Sequence, residues 1–136
     1  MHRHHIQHSS LRSITFLCTL VACSRANPVP TAIADQQVMV ASGESATIAG
    51  ASVRVVGIQD SRCPSDVVCI TAGDVVMIVA FSGSGDARTD TLRLMAPPKA
   101  STYGGLVFQP LTVKPYPDTR APAITKTVTL HVGTAP

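Results

Sequence analysis

The sequence predicts an all-β fold: a small antiparallel β-sandwich of about seven strands, immunoglobulin-like or similar, preceded by an N-terminal export segment. Three observations predict it. Apolar residues recur with period two from about Gln36 onward, turn residues interrupt them at short intervals, and no segment carries helical periodicity. Composition agrees, because three Phe, two Tyr and no Trp leave the core to Val, Ile, Leu, Met and Ala, a set rich in strand-forming β-branched residues.

In chain order, Val38 and Val40 share one face of the first strand, and Ala46 and Ile48 follow the turn at Ser42-Gly43. Val53 and Val55 flank Arg54. The run from Val75 to Phe81 is continuously apolar, as expected of a central strand covered on both faces. Leu92 and Leu94 flank Arg93. The run from Leu106 to Lys114 contains Pro110, which places that strand at an edge, gives it a bulge, or divides it in two. Val128, Leu130 and Val132 alternate with Thr127, Thr129 and His131, the pattern of a half-buried strand. Gly50, Cys63-Pro64, Gly83-Ser84-Gly85, Pro97-Pro98, Gly104-Gly105 and Pro115-Tyr116-Pro117 supply the intervening turns. The folded domain is expected over 36–133, with a small barrel as the alternative closure.

The residues ahead of this domain form a different kind of segment. Met1 to Arg12 carries Arg3, Arg12 and four histidines, and an apolar run from Ile14 to Ala22 follows. A basic start, a short apolar stretch and small residues at its end make a signal peptide. The run is far short of the ~20 residues a transmembrane helix needs, so the segment is expected to be cut rather than kept.

Leu20-Val21-Ala22-Cys23 resembles the lipobox of bacterial lipoproteins at all four positions. That resemblance implies that residues 1–22 are a lipoprotein signal peptide and that Cys23 is lipidated. It further implies a membrane as partner through the lipid anchor, and Ser24 rather than Asp after the Cys implies the outer membrane of the cell envelope. Residues 23–35, small and polar with Pro28 and Pro30, then read as a flexible tether. The alternative is plain secretion, with cleavage after Ser24-Arg25-Ala26.

Charge must be counted on the processed chain. The formal net charge is +3, but Arg3 and Arg12 precede Cys23, leaving nine bases against eight acids. The remaining bases are scattered singly, so no footprint for nucleic acid survives. His2, His4, His5 and His8 are lost with the signal, and His131 alone remains, which removes a multi-histidine metal site.

With Cys18 assigned to the signal and Cys23 to the lipid, Cys63 and Cys69 are left in the domain. Outside the cytoplasm such a pair is expected to form a disulfide. Closing this seven-residue stretch is worth roughly 2.4 kcal/mol on the chain-entropy model. A zinc site is the competing reading, weakened by wide spacing and the absence of a nearby His. A redox role lacks the Cys-x-x-Cys spacing.

Asp60-Ser61-Arg62-Cys63-Pro64, with Val67-Val68-Cys69 and Ala72-Gly73, resembles the DSRCP…VxCxWxG signature of a family of bacterial secreted and lipoprotein domains. The likeness extends more loosely over Gly43 to Val132 and implies a segment linking two strands of a small β domain. It implies no activity. Thr71 stands where the family has Trp, so a binding feature carried by that Trp would be missing here. Within the motif, Asp60 and Arg62 are expected to pair or to order the loop, and Asp60, Arg62 and Asp66 are the candidates for contact with a partner.

Catalysis is not expected. A Ser-His-Asp arrangement needs a base, and His131 lies among threonines on the outward face of the last strand. Gly83-Ser84-Gly85-Asp86 lacks the frame of a nucleophile elbow or a phosphate loop. The acids fall at turns and strand ends, where Asp serves turn chemistry. Asp60, Asp66 and Asp74 are the set that could gather around Ca²⁺, without EF-hand spacing to support it. The function expected is therefore a non-enzymatic, lipid-anchored binding or structural module of the cell envelope, with no cofactor and no metal. The alternatives are a secreted module recognising an envelope protein or glycan through the Cys63–Cys69 loop, and a small envelope hydrolase or metal-dependent enzyme.

Overall fold

A computed structural model describes residues 35–136. The expected signal peptide, Cys23 and nearly all of the tether lie outside the described residues. Among the described residues eight strands form: β1 (Gln36–Ala41), β2 (Ser45–Ile48), β3 (Ala51–Asp60), β4 (Val75–Ser82), β5 (Arg88–Arg93), β6 (Ser101–Tyr103), β7 (Leu106–Lys114) and β8 (Thr127–Thr134). They make two antiparallel sheets of four, ordered β1-β8-β7-β6 and β2-β3-β4-β5, and the sheets do not close into a barrel. Each sheet is built mainly from a run of sequential neighbours, unlike the interleaved strand order of an immunoglobulin domain. β1 adds to the edge of β8 before the chain crosses to the other sheet.

The core follows directly from period two. Val53 and Val55 of β3, Val75, Met77, Val79 and Phe81 of β4, Phe108 and Val113 of β7, and Val128, Leu130 and Val132 of β8 are all buried between the sheets. Phe81 lies at the centre of an aromatic group, stacked on Tyr103 at 5.1 Å and tilted against Phe108 at 5.0 Å. These rings bridge the layers and supply area that the aliphatic side chains lack.

Three sequence expectations are corrected or narrowed. β4 is central in its sheet, but only one of its faces is covered. Ile78 is exposed and Val76 and Ala80 are half-buried, because among the described residues no third layer packs on the outside. β6 is an additional strand, and at three residues it is too short to show alternation. β7 is one strand with a bulge between Pro110 and Thr112, so the two-strand option falls away, and it is interior only where β6 pairs with it. β6 pairs only with Leu106–Phe108, so at Pro110 only the β8 side of β7 is paired and the missing N–H is tolerated.

The strand directions give the sandwich two distinct ends. At one end, the turns at Gly50, Gly83 and Gly104 pack together. Gly83 has φ +103°, and a Cβ there would fall on the Gly50 carbonyl oxygen, so this approach requires glycine. β1 begins at this same end, since Gln36 pairs with Val132 near the end of β8. The opposite end carries the Cys63–Cys69 crossing from β3 to β4 and the 115–126 connection from β7 to β8.

Candidate functional site

β3 runs out at Asp60 and β4 starts at Val75, and the neck between them is closed by hydrogen bonds. The Ser61 amide donates to the Asp74 carbonyl at 2.8 Å, the Ser61 hydroxyl donates to the same oxygen at 2.9 Å, and the Asp74 amide donates to the Ser61 hydroxyl at 3.1 Å. Gly73 sits in this neck. A Cβ at Gly73 would fall on the Ser61 carbonyl oxygen, so the two chains can approach this closely only with glycine there.

Beyond the neck, Cys63 and Cys69 are joined by a disulfide with Cα atoms 5.8 Å apart, within the usual range for bridged cysteines. The loop is also tied to the body. The Ser65 amide donates to the Pro117 carbonyl at 2.9 Å, the Thr119 amide donates to Asp66 Oδ1 at 3.0 Å, and the Thr119 hydroxyl donates to Asp66 Oδ2. Arg120 stands 3.4 Å from Asp66 Oδ2. The Thr119 hydrogen bonds hold the Asp66 carboxyl below its ordinary range.

Under the loop lies a part-buried ionic cluster centred on a buried carboxylate. The Asp60 side chain is 1% exposed and accepts from Arg62 Nε at 2.8 Å, from Arg62 Nη2 at 2.6 Å and from the Arg62 amide at 3.2 Å. Lys126 Nζ adds a contact at 2.8 Å. Burial alone would push the Asp60 carboxyl up, but the hydrogen bonds from Arg62 and Lys126 outweigh it and lower it to about 2. The Asp60 hydrogen bond holds the Arg62 guanidinium charged still more firmly.

Each cation also donates to a backbone carbonyl, Arg62 across to β7 and Lys126 within its own 115–126 connection. Arg62 Nη2 donates to the Val113 carbonyl at 3.0 Å, and Lys126 Nζ donates to the Pro115 carbonyl at 3.0 Å. The Arg62 guanidinium lies 4.3 Å over the Tyr116 ring. Asp74 is occupied separately, by Arg93 Nε at 2.9 Å and the Met95 amide at 2.8 Å. The three aspartates considered for Ca²⁺ thus face three different sets of donors.

Of the sequence candidates, Asp60, Arg62 and Asp66 are therefore brought together at one end, with all three side chains turned into the fold. What faces solvent is a part of the motif that sequence reasoning did not single out. Val68 and Ile70 are fully exposed and Val67 is 45% exposed. At Pro64 of the same loop a cleft of about 280 Å³ is walled by Pro64, Pro117, Pro122, Tyr116 and Ile124, with Asp60 and Lys126 also lining it. Lys126 and Tyr116 were not predicted. The Pro-Tyr-Pro run marked the place, but no periodicity connects residue 126 to Asp60.

No family model, curated protein or solved structure matches the chain.

Proposed function

We propose that the chain is a lipid-anchored protein of the bacterial cell envelope, non-enzymatic, whose domain binds through the Cys63–Cys69 loop and the cleft beside it. One observation carries the binding reading: a loop closed by a disulfide and tied down by Asp66 holds two aliphatic side chains entirely in water. Ordered apolar exposure of this kind costs free energy in the isolated molecule and is recovered when a partner covers it.

The aspartates of the loop and its neck support a non-enzymatic role, because each is taken up by cations or hydroxyls in positioning the loop. Asp60 is matched by Arg62 and Lys126, Asp66 by Thr119 and Arg120, and Asp74 by Arg93. His131 belongs to the other end of the sandwich, 3.7 Å from Asp35. The lipobox resemblance at Leu20-Val21-Ala22-Cys23 supports the anchor.

Two measurements test the proposal. Incorporation of labelled palmitate that is lost in Cys23→Ser supports anchoring, and equal labelling of both, or of neither, overturns it. Recovery of the intact protein from its own membranes tests binding, with Val68→Ser/Ile70→Ser as control. An unchanged set of bound components in the control would sink the loop as the binding face.

A further inference from the structure

We infer that the Val67–Ile70 tip is a second membrane contact that inserts its aliphatic side chains into the lipid surface. This inference rests on the proposed binding role of the loop, and it names what the loop binds. The seven residues Val67 to Gly73 contain no charged side chain, and the aspartates that flank them in sequence, Asp66 and Asp74, are paired with Arg120 and Arg93. The tip is convex, since Val68 and Ile70 are fully exposed, and it is held out by the disulfide and by Asp66. Rigid, uncharged, aliphatic and protruding is the form that enters an acyl layer without carrying charge into it.

A second copy of the chain fits less well. Three aliphatic side chains present far less than the ~800 Å² per partner of a stable interface. A folded protein partner would be met by placed polar groups, and beyond the Thr71 hydroxyl the tip offers none from a side chain.

The geometry of the chain allows both contacts with one bilayer. β1 starts at the end of the sandwich opposite the tip. From Cys23 to Asp35 the chain reaches at most about 40 Å. β8, with eight residues, is only about 26 Å long. A lipid at Cys23 is therefore not kept by chain length from the bilayer that the tip would enter. Anchoring by two signals is far more durable than by one, because the second binding event becomes intramolecular.

The chain has no tryptophan, so Val68→Trp provides a single reporter on a fully exposed position. The experiment adds phosphatidylcholine vesicles to full chain carrying Cys23→Ser and Val68→Trp, and reads tryptophan emission and its quenching by brominated acyl chains. Expected are a blue shift and quenching at 68, neither of them in the matched Met39→Trp chain, whose β1 position is also exposed. Added Ile70→Asp should weaken the vesicle titration by roughly tenfold or more.

An unshifted, unquenched indole at 68 overturns the inference. So does an equal response from Met39→Trp, a response that needs anionic phosphatidylglycerol, or a blue shift that depends on protein concentration without vesicles. Because Cys23→Ser is present throughout, failure of the lipid anchor and failure of the tip are read separately.

Discussion

The ammonium of Lys126 stands 2.8 Å from the Asp60 carboxylate, and this contact joins the end of β3 in one sheet to the residue preceding β8 in the other. Asp60 is thus the common acceptor for two cations whose remaining donors hold the Val113 and Pro115 carbonyls. Asp60→Ala leaves a buried guanidinium and a half-buried ammonium facing one another. The expected loss is about 3–5 kcal/mol, the range for breaking a buried pair by removing one partner. Lys126→Met removes the more exposed cation and leaves the Arg62 pair intact, so about 1–2 kcal/mol is expected. Urea unfolding at pH 7 reads both, and equal losses would show that the cluster does not centre on Asp60.

Acid should act through the same carboxylate. The folded pKa of Asp60 is lowered from 3.8 to about 2, so the fold favours its ionised form. Its contribution is fully present above pH ~4 and is lost as pH falls from there through 2. At 1.36 kcal/mol per pKa unit the amount is about 2 kcal/mol. Asp66 and Asp74 shift in the same direction and add to the loss in that window. Urea midpoints at pH 7, 4 and 2.5 should fall more steeply for the native chain than for Asp60→Asn. Parallel curves would remove Asp60 from the acid response.

How much of this was legible in the sequence divides by physical cause. Strands with one wet face announce themselves by alternation, and Val128, Leu130 and Val132 lie on β8 as the pattern requires. Pro110 signalled its bulge because a missing N–H has few places to go. The bulge at Val56 gave no such signal, since any residue type can be the extra one. Lys126 and Tyr116 reach Asp60 and Arg62 through a connection with no periodicity, and only tertiary packing brings them there. The exposure of Val68 and Ile70 ran against composition altogether, because β-branched residues ordinarily mark a buried strand.

The neck at Gly73 should be intolerant of any side chain. Gly73→Ala must push the Ser61 carbonyl aside and break the hydrogen bonds between Ser61 and Asp74. A loss of about 2 kcal/mol or more is expected, at the upper part of the range for overpacking. Faster hydrogen exchange of the Ser61 amide should accompany it, with the β8 amides unchanged relative to global stability. A stability within about 0.5 kcal/mol of native would contradict the close approach.

The disulfide and the hydrogen bonds to Asp66 restrain the same loop, so their removal should not be additive. Cys63→Ser/Cys69→Ser is expected to lose roughly 2 kcal/mol from the unfolded-chain term. Asp66→Ala opens the tie to Thr119. In a double-mutant cycle the second change should cost more once the first has been made, because either restraint alone still orders part of the loop. Strict additivity would mean that the two hold separate segments.

A second tie between the sheets uses the same residue types in a different setting, which separates burial from pairing as the source of stability. Arg88 on β5 contacts Asp90 at 3.1 Å and donates to the Ser101 hydroxyl at 3.1 Å and to the Thr102 carbonyl on β6. The Asp90 carboxylate also accepts from Ser101. Here the Arg88 side chain is 47% exposed, against 11% for Arg62. Water screens the exposed pair and can replace its hydrogen bonds, so Arg88→Ala should cost no more than about 1 kcal/mol and less still in 1 M salt. Arg62→Ala strands Asp60 beside Lys126 alone and should cost about 3 kcal/mol or more, nearly independent of salt. Matched urea titrations at low and high salt decide between the two settings. If the two losses are equal, exposure does not govern these ties, and the weight given to the Asp60 cluster in holding out the Cys63–Cys69 loop would have to be withdrawn.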